Sequence, residues 1–298
     1  MATDTSAVRT APRTGFDDDV TLSGLDTLEL AGRTAKAGFG RRLWAATWPK
    51  LVALAIVLAV WQVVVWSGWK SEWVLPGPAA VGIELDEIVR TANFWEGVLT
   101  TLRRGLTGFA LAAAIGFVVG IAVARNRILR AAIGSMITSL QTMPSIAWFP
   151  LAILLFQLNE SAIMFVVVLG AAPSIANGVI SGVDYVPPLL LRAGKNIGAT
   201  GLSLYAYVIA PASLPAIVAG LKQGWAFAWR SLLAGELLIV IAERPALGTK
   251  LELLRQLNDA EGVIAIMIAV FVVGVLADTV FSMVDMAVRK RYGVMEAS

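Results

Sequence analysis

Six stretches of mostly apolar residues recur along this chain, each near the length of about 20 residues that a helix needs to cross a bilayer core. They predict spans at 48–66, 105–124, 131–158, 161–183, 216–241 and 262–284. Between the fourth and fifth lies a stretch that hydropathy alone would also place in the membrane. Pro187, Pro188, Gly198, Gly201, Pro211 and Pro215 punctuate it, where a straight span needs unbroken backbone. It reads as an elbow: Pro187 and Pro188 begin a short helix, Gly198 and Gly201 turn the chain, and Pro211 and Pro215 limit continuation into the fifth span. The pattern predicts an all-α polytopic membrane protein with six transmembrane helices.

Composition strengthens that reading. Of 298 residues, 57% are hydrophobic and only 15% charged, and the mean hydropathy is +0.75, outside the range of ordinary soluble domains. With no cysteine and no histidine, disulfides, thiolate nucleophiles, imidazole bases and ordinary zinc sites are excluded. The net charge of +3 is modest, and basic residues cluster at the ends of apolar runs instead of forming a stripe suited to nucleic acid.

Those clusters set topology. Arg33, Lys36, Arg41, Arg42 and Lys50 precede the first span. Arg125, Arg127 and Arg130 lie between the second and third, Arg192 and Lys195 in the elbow, and Arg289, Lys290 and Arg291 after the sixth. The positive-inside rule puts all four regions, and both termini, in the cytoplasm. The resulting plan is a tail over 1–43, a first transmembrane helix within 44–74, an external segment over 75–104, a core over 105–285 and a second tail over 286–298. The first tail is expected to be disordered or to carry a short interfacial helix, from the Ser23 and Asp26 capping spacing and Leu22, Leu25 and Leu28. No cleavable leader is expected. Trp44, Trp48, Trp66, Trp69 and Trp73 suit interfacial belts at the ends of the first span.

Within the spans, Gly116 and Gly120, Gly178 and Gly182, and Gly220 and Gly224 have the small-xxx-small spacing that lets helices approach closely. Ionisable groups inside spans are costly and mark candidates for function. Arg230 and Glu236 interrupt the fifth span and Asp278 lies in the sixth. Six residues apart, about 240° around a helix, Arg230 and Glu236 face different neighbours. Arg230 either favours an anion in a translocation pathway or pairs with an acid on another helix or subunit. Gln141, Pro144, Ser145 and Trp148 form a kinked polar patch in the third span. They either line the pathway or mark a packing kink.

The stretch Arg192, Ala193, Gly194, Lys195, Asn196, Ile197, Gly198, followed after nine residues by Val208, Ile209, Ala210, Pro211, resembles the EAA loop of ABC importer permeases. In that pattern, E-A-A and three residues precede a glycine, and I-x-L-P follows nine residues later. Ala193, Gly198 and Pro211 match, and Val208 is a conservative replacement. Arg192 stands at the acidic position, Gly194 at the second alanine and Ala210 at the leucine. Leu75 to Pro78, Thr101 to Arg104 and Met143 to Ala152 extend the resemblance to the nitrate, sulfonate and taurine branch, over residues from about 75 to 285.

The resemblance implies a coupling loop at 187–211 that fits a cleft on ABC ATPase subunits, with Arg192 and Lys195 on one exposed face and Leu202, Tyr205, Ala206 and Ile209 on a packed face. It also implies an extracytoplasmic solute-binding protein and a second permease copy, taken as a homodimer, in the bacterial inner membrane. The expected cargo is a small solute, an aliphatic sulfonate first, with nitrate and taurine behind it. An amphipathic helix lying on the bilayer is the other reading of the elbow, and a secondary transporter the other reading of the whole chain.

A phosphate loop is absent, because Gly194 and Lys195 are followed by Asn196 and position 189 is Leu. The chain is therefore expected to bind no cofactor and to catalyse no reaction, with ATP and magnesium on a partner subunit. The purified chain alone should hydrolyse no ATP; nucleotide turnover by contaminant-free protein would overturn this reading.

Overall fold

A computed structural model describes residues 39–241 and 244–292, and their regular structure is helical throughout. The proposed interfacial helix around Ser23 and Asp26 lies outside the described residues. The elements are α1 (Phe39–Trp66), α2 (Pro78–Val89), α3 (Ala92–Arg125), α4 (Arg127–Thr142), a 3-10 turn (Ser145–Trp148), α5 (Phe149–Phe156), α6 (Glu160–Asp184), α7 (Pro188–Asn196), α8 (Gly201–Leu204), a π turn (Tyr205–Ile209), α9 (Ala210–Leu238), α10 (Leu247–Gln256) and α11 (Ala260–Arg291). Five helical stretches are long and apolar enough to cross a membrane, and a bent pair makes a sixth crossing if counted as one.

Up to Val63 the chain forms a unit of its own. Its helix α1 exposes Leu51, Leu54, Ile56, Val57 and Val60, as a lipid-facing helix does. In the second unit, from Val64 on, α6 is the axis. Ile163, Val166, Val167, Ala171 and Ile175 on it are fully buried, with α3 and α9 packed along it. All three predicted glycine pairs lie at helix contacts. The tightest backbone approach is between Gly178 and Gly220, where a Cβ on either residue would stand 2.7 Å from the other's Cα. Lipid tails are as apolar as leucine, so close van der Waals packing, not expulsion from lipid, holds such helices together.

Two predicted elements differ in shape. The third span is broken: α4 and the segment Ser145–Phe156 meet at 107°. Pro144 offers no N–H and disfavours helical backbone at Met143, which is extended at φ −74, ψ 131. The second correction concerns Pro211 and Pro215, which do not limit the helix. The run from Gly201 to Leu238 is continuous, with Pro211 in the first turn of α9 and Pro215 inside it. The π turn just before Pro211 accommodates this register, with Ala210 N–H donating to the Tyr205 carbonyl. The segment 75–104, expected to be external, contains α2 and the first turns of α3, capped by Thr91 Oγ1, which accepts from Phe94 N–H at 3.3 Å.

At the end of α6 away from the elbow, a buried ionic network ties the helices together. Glu236 is fully buried and Arg104 is 3% exposed, and Arg104 Nη1 lies 3.3 Å from Glu236 Oε1. Thr101 Oγ1 donates to the same carboxylate, 2.9 Å from Oε2, and accepts from Leu247 N–H at 3.0 Å. Gly248 N–H donates to Oε2 at 3.1 Å. A Cβ at Gly248 would stand 2.5 Å from Glu236 Cβ, so glycine permits this approach. Arg104 Nε reaches Glu160 Oε1 at 2.9 Å, and Arg244 Nη1 reaches Glu160 Oε2 at 2.8 Å.

Removing one partner of such a buried pair costs about 3–5 kcal/mol, because the other charge is stranded. Arg104→Met should therefore lower the thermal midpoint of the purified chain strongly, and adding Glu236→Leu should recover part of the loss. Strictly additive shifts in this double-mutant cycle would show that the two groups do not support one another.

Candidate coupling elbow and translocation surfaces

The elbow is built by three local devices. Pro187, at φ −54 and ψ 130, leads extended backbone into α7, with Pro188 in the first turn where a missing N–H costs nothing. Gly198, at φ +88, ends the helix in the left-handed region that side chains disfavour. Ala199 N–H closes this end on the Gly194 carbonyl at 2.9 Å. Ser203 Oγ then accepts from Thr200 N–H at 2.9 Å at the start of α8.

Gly194 is buried, and a Cβ on it would stand 2.8 Å from Val208 Cγ2 and 3.0 Å from Leu204 Cδ1. The absent methyl lets α7 lie against the α8 and π segment, with Val208 opposite. Arg192, Ala193 and Lys195 remain exposed on α7. Leu202, Tyr205, Ala206 and Ile209 line one apolar hollow of 420 Å³ with Phe117 and Val179, but only Ile209 is buried; the other three are exposed, so the face expected to be packed is largely open. The Arg125 guanidinium stands 5.1 Å from the Tyr205 ring centroid. Nearby, both terminal nitrogens of Arg130 hold Asp184 at 2.8 and 2.9 Å, joining the start of α4 to the end of α6.

The residues proposed to line a pathway separate into three environments. Gln141 Nε2 donates to the Pro173 carbonyl at 3.1 Å, bridging α4 to α6. Ser145 approaches Gly170, where an added Cβ would lie 3.8 Å from Ser145 Cβ, and Trp148 packs against the core. Glu236 faces no open surface, since burial and the Arg104, Thr101 and Gly248 contacts occupy it. Arg230 is exposed on a 630 Å³ groove between α9 and α11, beside Trp229, Phe271 and Asp278. Its Nε donates to the Ala226 carbonyl at 3.0 Å and its guanidinium lies 4.8 Å from the Phe227 ring centroid. Among the described residues, no carboxylate pairs with Arg230.

Sequence reasoning missed the role of Arg104, Glu160, Arg244 and Gly248. The only local signal was the Arg103 and Arg104 pair opening an apolar run; its partner Glu236 lies 132 positions away. Outside the spans at the same end, burial raises the Glu84 carboxyl above its ordinary value, reinforced by Asp259, Glu87 and Glu261 and opposed by Lys250. Burial lowers the Lys250 ammonium, with Glu84 opposing.

Known proteins resemble this chain in sequence and fold. Residues 113–290, elbow included, match the family described as binding-protein-dependent transport system inner membrane component. A Methanocaldococcus jannaschii protein named as an ABC transporter permease is 31% identical over 64% of this chain and 71% of its own length. A Bacillus subtilis protein named as an aliphatic sulfonates transport permease is 27% identical over 78% of this chain and 83% of its own. The Escherichia coli taurine transport system permease is 28% identical over 62% and 69%. The fold is similar to that of a chain of the MetNI methionine ABC transporter in an inward-facing conformation, at 18% identity and a TM-score of 0.52, over 64% of this chain and 96% of that one. With the family pattern covering its core and elbow, and a relative at this identity, the chain belongs to the binding-protein-dependent transport system inner membrane components, the permeases of ABC transporters.

Proposed function

We propose that this permease imports a small organic anion of the aliphatic sulfonate class by alternating access, as one of two copies, driven by ATPase subunits that dock on the elbow and supplied by an extracytoplasmic binding protein. The similarity to sulfonate and taurine permeases over most of the chain carries this reading. The elbow supports the mechanical part. Arg192, Ala193 and Lys195 form an open face, while Gly194 and Val208 lock α7 against a segment continuous with α9. A push on α7 therefore reaches a transmembrane helix without crossing a flexible joint. ATP and magnesium belong to the docked subunit in this scheme, and both termini lie on the elbow's side.

Arg230 supports the anionic cargo. A cation in a partly apolar groove, in no ion pair among the described residues although Asp278 lines the same groove, lowers the cost of bringing in a negative charge. Uptake of a labelled alkanesulfonate by proteoliposomes holding the permease, its ATPase and its binding protein tests the whole assignment. ATP-dependent accumulation is expected, and transport that persists with an inactive ATPase would overturn it.

Two substitutions separate the parts. Arg230→Gln at normal abundance should reduce sulfonate uptake about tenfold, an effect near 1.4 kcal/mol; unchanged uptake removes Arg230 from the pathway. Gly194→Leu should force α7 away from Val208 and cut uptake severely while the transmembrane bundle still folds. Normal transport by that variant would mean that the packed elbow is not the coupling element.

A further inference from the structure

A second, larger groove of 990 Å³ opens on the bundle between α3 and α6, at the end opposite the elbow. Its two ends differ in chemistry. Arg103, Arg104, Arg244 and Glu160 line one, and Leu111, Ile115, Met164 and Val168 line the other. We propose that this groove seats an anionic phospholipid, its phosphate against the arginines and one acyl chain along the apolar floor. The inference rests on the family's membrane placement and is independent of the transported solute.

Charge selects the headgroup. Three guanidinium groups meet two carboxylates here, and both acids are engaged: Glu160 uses Oε1 for Arg104 and Oε2 for Arg244, and Glu236 is fully buried. Among the described residues, no free carboxylate is left there for the ammonium of a zwitterionic headgroup. Among the described residues Arg103 is in no ion pair, and it is exposed. Arg104 adds an independent sign of a missing acceptor, because it is 3% exposed and its buried Nη2 makes no hydrogen bond among the described residues. A planar guanidinium cluster with spare donors suits phosphate oxygens.

Length selects an acyl chain. From Arg104 to Ile115 the helix rises about 16 Å, and one leaflet of a hydrocarbon core about 30 Å thick is about 15 Å deep. Leu111 and Ile115 are exposed at 50% and 40%, so the other described residues of this second unit leave the floor open. A phosphate beside Arg103, Arg104 and the start of α6 thus places its chain where the groove turns apolar.

Native mass spectrometry of the full chain, released from nanodiscs of equal phosphatidylglycerol and phosphatidylcholine, tests the assignment. Phosphatidylglycerol should be retained preferentially. Each of Arg103→Gln and Arg244→Gln should lower that preference about fivefold, the effect of one interfacial basic residue. Met164→Trp, which fills the floor without touching charge, should also reduce retention, and Arg255→Gln should not. Equal retention of the two lipids, or retention indifferent to the groove substitutions, would overturn the proposal. So would displacement of the lipid by 1-octanesulfonate, which reassigns the groove to the solute, or its loss on dimerisation, which reassigns it to a second copy. Sulfonate uptake that continues in a variant lacking lipid retention leaves the transport reading intact while separating the two roles.

Discussion

Close approach of backbones around α6 is the constraint on which the rest of this bundle depends. Within a bilayer, apolar side chains gain little by leaving lipid for protein, so helices associate where their surfaces fit. The fit along α6 requires missing side chains: Gly178 against Gly220 on one side, Gly116 and Gly120 against Ala172, Ala176 and Val179 on the other. Such packing has few alternatives, because even one methyl group at the Gly178 contact meets backbone. The three helices thereby form a stiff unit whose two ends carry different chemistry. One end continues into the elbow, and the other is pinned by Glu236, Arg104, Thr101 and Gly248.

The legible parts of the fold were those written in local patterns. Apolar windows located the helices, and small-residue spacing located their contacts. The breakers between 187 and 215 marked the elbow because Pro and Gly act on the backbone where they stand. Their consequences were less legible. Pro144 broke a span because its neighbour Met143 took extended backbone, whereas Pro211 did not, because a π turn supplied a different hydrogen-bond register. The two prolines have the same covalent constraint, and the neighbouring backbone decides between a break and a continuous helix.

The site was legible to the same extent. The spacing of Gly194, Gly198 and Val208 carried the elbow, and the close contact of Gly194 with Val208 explains why the second alanine of the family pattern is replaced by a smaller residue. Glu236 was visible as a costly charge in a span, but its partners lie on α3 and around α10, far away in sequence. No periodicity or local motif joins positions 104 and 236. Only the folded arrangement identifies Glu236 as a structural acid, held by several donors, rather than a group facing a pathway.

Three arginines show why residue type alone could not assign roles. Arg104 is buried against two carboxylates, so its charge is spent on holding helices together, and losing either partner would leave an expensive ion behind. Arg192 is exposed on the elbow, where water screens it and where its charge is available to a partner surface. Arg230 lies between these limits, exposed on a groove lined by aromatic rings and by Asp278, near Phe227, yet in no ion pair among the described residues. In the proposed scheme the transporter uses both extremes and the intermediate case: neutralised charge keeps the frame rigid, solvated charge would recognise a subunit, and charge in no ion pair beside apolar walls would attract an ion that must later leave. Holding the last too strongly, as Arg104 is held, would trap the cargo.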